Sequence, residues 1–466
     1  MTEEQSGEDL FKANEFPEGL QGVYTMPTIN EPILLYEGSL DIDQGERKVS
    51  GPGSITFRWL PVPAPRFQIE HSASKNDLAL GYALLSVRGA IMASKAIVDN
   101  SRLDISGTKK SWEASGWFST LETGKGKGTE LTSVIFHVPN FVDFLGSPIR
   151  ERGKQQVRMA RAVFEGEGWR VVLDALSTTN EKFLAQLKGN GGYAITHVGR
   201  FERVNGESFN TEAARDFMGS LCYFLSFCRG MWIAPVLPVG FDSKGTRAWE
   251  EWRDWTIDRF LSVNRWINEF STESFSGAFP GFLSRSMDKT WGEPIRLSLW
   301  WYMESNKRAG GHEGSMILAQ SAFELLAWTL LVEDHRILSA DGFEKLPASD
   351  KLRLLLSHCK IPLAVPVHLI ELQKLSKKHN WADGPHAITE MRNSLTHPKP
   401  KKRSRVLDAE PIAVFEAWSL SIWYLELVLL WLFEYKGSYT NLLRRGCTSQ
   451  EAVELVPWRT CSAASL

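Results

Sequence analysis

The hydrophobic pattern of this 466-residue chain changes period near Pro294, and that change constrains its fold more than any other feature. From about Gly22 come short apolar runs broken by Gly, Pro, Asn and Asp: ILLYEGSLDI, SITFRWLPV, RFQIEH, ALGYALLSV, ASGWFSTLET, LTSVIFHV and WRVVLDAL. Each is rich in β-branched and aromatic residues and bounded by turn formers, as strands are. After Pro294 the apolar residues recur at the three- and four-residue spacing of amphipathic helices. The switch predicts an α+β multidomain chain: a β-rich N-terminal region, a sandwich or twisted mixed sheet, then an all-α bundle of four or five helices. At this length a single core is not expected.

Residues 1–16 are acidic and polar, predicting a disordered tail and not a signal peptide. Residues 17–245 form the β-rich region, with helices expected near Thr179–Leu187 and Thr211–Cys228, a strand pair in GGYAITHVGRFERV and a closing run WIAPVLPVGF. Residues 246–293 read as a helical connector. Trp249, Trp252 and Trp255 there are three apart, which on a helix makes one broad face. That face is a buried seam or, alternatively, a base-stacking platform. SFSGAFPGFLSR reads as a Gly/Pro-punctuated link. Residues 294–440 form the bundle, with helices over 295–306, 315–333, 349–359, 367–379, 386–397 and 410–435. Residues 441–466 read as a C-terminal tail.

Composition narrows the function. Hydrophobic residues are 43% and charged residues 23% of the chain, as in soluble globular proteins, and the formal net charge of −2 argues against wholesale coating of nucleic acid. The five cysteines are scattered and never spaced C-x-x-C, so reduced thiols in a cytoplasmic protein are expected, with no structural zinc. Ile412–Phe433 is apolar enough to suggest a membrane span. Glu416 and Glu426 interrupt it, however, and a buried helix is the expectation.

The chemistry concentrates in Arg392-Asn393-Ser394-Leu395-Thr396-His397. On a helix Asn393 and His397 share a face, while Arg392 lies about 140° round the wheel. Pro398 ends the helix, leaving the His397 imidazole at a C-terminus whose partial negative charge favours imidazolium. A titratable imidazole beside a fixed guanidinium suits phosphodiester chemistry. Lys374–Arg405 holds nine basic residues against Asp383 and Glu390, a local excess of seven. Lys399, Lys401, Lys402, Arg403 and Arg405 follow the motif directly and are candidate RNA contacts. A solvated basic loop or a targeting run is the alternative.

R-N-x-x-x-H near the end of a short helix, followed by a long apolar helix, resembles the HEPN superfamily of ribonucleases and nucleic-acid-binding domains. MILAQSAFELLAWTLL resembles the first core helix of the ApeA-like HEPN proteins, with Glu324 where such domains carry a buried acidic residue. The resemblance covers about Pro294–Thr440. It implies a cytoplasmic, metal-independent RNA endonuclease, with no cofactor, that leaves 2′,3′-cyclic phosphate ends. His397 would be general acid or base, Arg392 the phosphorane stabiliser, Asn393 an orienting group and Glu324 a supporting residue. It further implies RNA (tRNA among the options) as substrate and a homodimer through the C-terminal helices. The apolar helix Pro411–Tyr435 is the expected dimer surface, with Trp423 and Leu430 as seam candidates. The ApeA-like layout implies anti-phage defence, with a phage-derived or small-molecule trigger sensed by the N-terminal region, which alternatively restrains the nuclease. A non-catalytic HEPN module binding nucleic acid or protein is the competing class.

Other signals are expected to be structural. TGKGKGT at Thr123–Thr129 lacks the P-loop spacing and reads as a mobile hairpin turn. His71 and His137 sit at strand ends without companions at metal-ligand spacing. Trp59–Pro65 reads as a strand end running into an extended polyproline segment, with protein recognition a lesser alternative.

Overall fold

The computed structural model describes residues 16–72, 78–106, 109–126, 128–153, 156–396, 411–444 and 450–460. The chain divides into two compact units. One comprises residues up to 163 together with 168–222 and 233–261; the other comprises 164–167, 223–232 and everything from 262 onward.

The first unit begins with six strands, β1 (Ile33–Asp43), β2 (Lys48–Arg58), β3 (Ala64–Ser72), β4 (Gly81–Val87), β5 (Ser94–Ser106) and β6 (Lys109–Phe118). They close an antiparallel barrel in the order β1-β2-β3-β6-β5-β4. Strict alternation explains the closure. Leu40, Ile42, Ile55, Phe57, Phe67, Ile69 and Leu85 are buried, while their neighbours Asp41, Thr56 and Gln68 point outward.

Eight further strands make an open sheet. They are β7 (Thr120–Gly124), β8 (Ser133–Pro139), β9 (Ser147–Arg150), β10 (Val157–Gly166), β11 (Trp169–Ala175), β12 (Ile195–Arg203), β13 (Val236–Phe241) and β14 (Arg247–Arg253), in the order β7-β14-β13-β8-β12-β11-β10-β9. Helix α1 (Glu181–Asn190) is capped by the Asn180 side chain, which accepts from Phe183 N at 3.0 Å; α2 spans Thr211–Arg229. The N-terminal region is therefore β-rich as expected, but it is a closed barrel plus a large sheet, not a sandwich. GGYAITHVGRFERV supplies one strand, β12, where a pair was expected. Thr123–Thr129 is no hairpin turn, because β7 and β8 are not neighbours. Lys125 in that loop is paired with Asp242 at 2.8 Å. His137 is structural, as expected. One ring nitrogen faces the carbonyls of Val236 and Leu237, the other accepts from Tyr24 N at 3.0 Å, and burial holds its pKa down to about 4.

The helical connector expected over residues 246–293 instead begins with β14 and irregular chain. Its three-residue tryptophan spacing imitates a helical face, but the strand is buried on both sides. Trp249 and Trp252 pair across to Gly124 and Leu121 of β7, and the buried Glu251 is satisfied by Arg215 at 2.7 Å. A strand buried on both faces loses the alternation that would identify it.

The second unit is helical: α3 (Glu273–Met287), α4 (Gly292–Asn306), α5 (Gly311–Trp328) running into a π-helical turn (Thr329–Asp334), α6 (Ala340–Glu344), α7 (Ala348–His358), α8 (Ile370–His379), α9 (Gly384–Thr396) and α10 (Pro411–Leu432). The segment SFSGAFPGFLSR, expected as a link, is α3. Gly281 is there for packing, since a Cβ would fall 1.9 Å from the Phe433 carbonyl oxygen. The C-terminal tail is partly structured: β15 (Ser438–Thr440) pairs with β16 (Val453–Leu455), and α11 (Pro457–Thr460) follows.

Helix α10 is the axis of the unit, packing against α3, α4, α5, α8 and α9. Every residue from Glu416 to Leu430 is buried, so a helix apolar on all sides is covered by its own chain. The expected dimer seam fails here. Trp423 and Leu430 are interior, and Trp423 Nε1 donates to Tyr439 Oη at 3.0 Å within the same chain. The two carboxylates are interior anchors. Glu416 accepts from Leu372 N and Glu426 from Tyr302 Oη, each at 2.7 Å. Gly311–Asp334 and Pro411–Leu432 are each long and apolar enough to cross a membrane, but 61% and 89% of their apolar windows are buried inside the protein.

Candidate active site

The site begins with the placement of α9. Asp383 caps its first turn, its carboxylate accepting from His386 N at 2.9 Å. Arg353 of α7 clamps the same carboxylate through Nε at 2.6 Å and Nη2 at 3.1 Å. Burial pushes the Asp383 carboxyl up, but the Arg353 and His386 hydrogen bonds outweigh it and hold the group below the usual range. Gly384 lets the turn sit against α10, since a Cβ there would lie 2.3 Å from Tyr424 Oη. Ala387, Ile388 and Met391 then bury one face of α9.

That rotation directs Arg392 toward α5. Its Nη2 donates to Glu324 Oε1 at 3.1 Å, and the same oxygen accepts from Gln320 Nε2 at 3.1 Å. Gln320 is one turn before Glu324, so α5 presents both on one stripe. The Arg392 side chain is 20% exposed, and its Nε has no hydrogen-bond partner among the described residues. Glu324 is 42% exposed at its side chain, so the acid expected to be buried lies at the rim of the bundle. Asn393 turns back along its own helix, donating to Glu390 Oε1 at 3.2 Å, and Ser394 Oγ donates to the Glu390 carbonyl.

The described part of α9 ends at Thr396, so His397 lies outside the described residues, as do Lys399, Lys401, Lys402, Arg403 and Arg405. Of the basic excess, Lys377 and Lys378 lie in the last turn of α8, and Lys374, in the middle of that helix, pairs with Glu371 at 2.7 Å. Arg392 and Glu324 therefore come together as one group, with Asn393 beside them on α9. Sequence reasoning missed Gln320, Glu390, Arg353 and Asp383. Gln320 carried a usable signal, its i,i+4 spacing to Glu324. Arg353 carried none, because the loop that brings Asp383 to it has no periodic pattern.

Comparison with known proteins adds family context. Residues 126–263 match the YopA central domain family and residues 288–454 the YopA C-terminal domain family. The chain is 28% identical over 449 residues to the SPbeta prophage-derived uncharacterized protein YopA of Bacillus subtilis (strain 168), covering 93% of this chain and 96% of that protein. No solved structure matches.

Proposed function

We propose that the helical unit is a HEPN-type bundle and cleaves RNA without a metal ion, while the N-terminal unit senses a phage-derived or small-molecule trigger or restrains the nuclease. The observation that carries this reading is the approach of Arg392 to Glu324. Two residues singled out by motif and by position, 68 apart in sequence, meet at 3.1 Å across α5 and α9. The prophage origin in the description of YopA agrees with a setting of phage–host conflict.

In the proposed reaction the 2′-hydroxyl attacks the adjacent phosphorus and the 5′-oxygen leaves, giving a 2′,3′-cyclic phosphate and a 5′-hydroxyl. His397 takes the 2′-hydroxyl proton or supplies one to the leaving oxygen. Arg392 stabilises the charge on the phosphorane oxygens. It reaches them by exchanging Glu324 for phosphate. An ion pair whose acid is this exposed is worth only about 0.2–1 kcal/mol, so the exchange costs little. Asn393 orients the pair, and the basic run after His397 holds neighbouring phosphates. A homodimer that joins two such motifs remains part of the proposal, but its seam lies off the covered core of α10.

The same ion pair favours a second reading. A guanidinium already held by Glu324 serves equally well as a structural strut in a non-catalytic module that binds nucleic acid or protein. Product ends separate the two. Incubating the full chain with tRNA and with a single-stranded oligonucleotide is expected to give fragments with 5′-hydroxyls, labelled by polynucleotide kinase without prior phosphatase, and 3′ ends resistant to periodate. Fragments with 5′-phosphates contradict the mechanism, and RNA bound but uncut supports the silent module.

A further inference from the structure

A groove of about 510 Å3 in the N-terminal unit is lined by residues the proposed nuclease does not use. The turn Pro61–Ala64, between β2 and β3, forms part of it, and the segment Asp254–Ile257, leaving β14, forms another part. Arg66 and Trp117, direct cross-strand partners on β3 and β6, join them. Alternation places Trp117 there, since its neighbours Gly116 and Phe118 take the buried positions of the barrel strand and Trp117 stays half-exposed.

Four groups line this groove, and three of them, Trp117, Asp254 and Arg66, have unused capacity. Trp117 offers an indole face. Trp255 walls the groove, packed on one side by the Arg253 guanidinium, 4.5 Å from its ring centroid, with its indole N–H buried. Asp254 forms no ion pair among the described residues, and burial pushes its carboxyl above the usual range against the opposing Arg253 charge. Arg66 donates Nη1 to Asp99 at 2.9 Å, which leaves Nε and Nη2 for another acceptor. A flat ring donating two N–H groups from one edge and carrying an anion fits these groups together. The Watson–Crick edge of guanine has that pattern, because N1–H and N2–H donate while O6 accepts. Adenine presents a bare N1 to the same carboxylate.

We infer that this groove binds a guanine base, stacked on the tryptophans with its N1–H and N2–H on Asp254 and its phosphate toward Arg66. Stacking on an indole tolerates any base, so the carboxylate supplies the selectivity. A groove of this volume is within the range for small-ligand sites and holds one nucleotide. The guanine belongs either to a free nucleotide or to a guanosine within single-stranded RNA, and the chemistry at the base is common to both. The inference stands apart from the cleavage proposal, because binding alone tests it.

The test is calorimetric titration of the full chain with GMP, AMP, CMP and UMP, and with the tetranucleotides UGUU and UAUU. GMP is expected to bind with Kd of about 10–100 µM, and at least about tenfold tighter than AMP. Asp254→Asn should cut GMP affinity about tenfold and leave AMP unchanged, while Trp117→Ala should weaken both. Both positions are partly or wholly exposed, and circular dichroism verifies that the variants are folded. UGUU tighter than GMP by tenfold or more identifies RNA as the source; equal affinity identifies a free nucleotide. Absence of saturable binding by GMP and UGUU at 5 mM (about the useful ceiling for such weak sites), or equal binding of all bases unaffected by Asp254→Asn, overturns the inference.

Discussion

Arg392 on α9 and Gln320 on α5 donate to the same oxygen, Glu324 Oε1, both at 3.1 Å. One carboxylate oxygen thus fixes a guanidinium at the edge of a helical bundle, while that guanidinium's Nε has no partner among the described residues. If Arg392 acts on the phosphorane, Arg392→Ala should lower the rate at saturating RNA by about 10²–10³ with little loss of binding. Arg392→Lys should not rescue it, because an ammonium lacks the planar fork. Glu324→Gln should change stability by no more than about 1 kcal/mol, given its exposure. Single-turnover cleavage and thermal melts check the three variants.

A second prediction concerns pH. Glu426 is fully buried in α10, accepting from Tyr302 Oη through Oε1 while Oε2 has no partner among the described residues, and burial pushes its pKa from 4.5 up to about 8. The raised value means the unfolded chain releases this proton before the folded chain does. The stabilising effect is therefore fully present below about pH 4.5 and is lost as pH rises to about 8. Its upper limit is on the order of 4–5 kcal/mol, at 1.36 kcal/mol per pKa unit. Glu426→Gln should flatten that dependence in urea titrations between pH 5 and 8.5. An unchanged slope would mean the carboxylate is ionised in the core.

The helical half of the chain was the more legible. Helices α4, α7, α8 and α9 begin and end within a few residues of where apolar spacing puts them, because each buries one stripe and exposes the other. Barrel strands β1 to β4 and the second half of β6 were legible for the same reason in period two, whereas β5 was passed over although its first half alternates. What escaped was buried all round or shaped by neighbours. Strand β14 hides both faces, α3 carries glycines that read as breaks but permit close packing, and β10 was passed over although its alternation is regular. Of the site, Arg392, Asn393 and Glu324 were named from sequence. Of the groups that hold them, Arg353 and Asp383 act through a tertiary contact that no local spacing records, whereas Gln320 and Glu390 lie within one helical turn of Glu324 and Asn393. The apolarity of α10 was read correctly as burial, yet its covering by the same chain depends on helices more than 30 residues away, α4 and α5 among them.

Gly281 gives a direct check on that packing. Gly281→Ala would place a methyl 1.9 Å from the Phe433 carbonyl oxygen, a backbone atom that cannot swing aside. The expected loss is about 1–3 kcal/mol in spite of alanine's higher helix propensity. Urea unfolding of this variant should show a lower midpoint. A stabilised protein would mean α3 does not sit against the end of α10.

The basic run after His397 separates binding from catalysis. Replacing Lys401, Lys402 and Arg403 with alanine should weaken RNA binding and flatten its salt dependence, by about 0.7 in log–log slope per lost phosphate contact with single-stranded RNA. The rate at saturating RNA should hardly change, because such contacts act alike on ground and transition states. Unchanged affinity and slope would make the run a solvated loop and send RNA to another face.

The most direct test is cleavage of tRNA in EDTA by the wild-type chain and by His397→Ala, side by side. The account predicts that wild-type cleavage survives chelation and that the variant is slower by about 10²–10⁴, as loss of a general acid or base requires. Wild-type activity abolished by EDTA, or a variant that cleaves as fast as wild type, would contradict it.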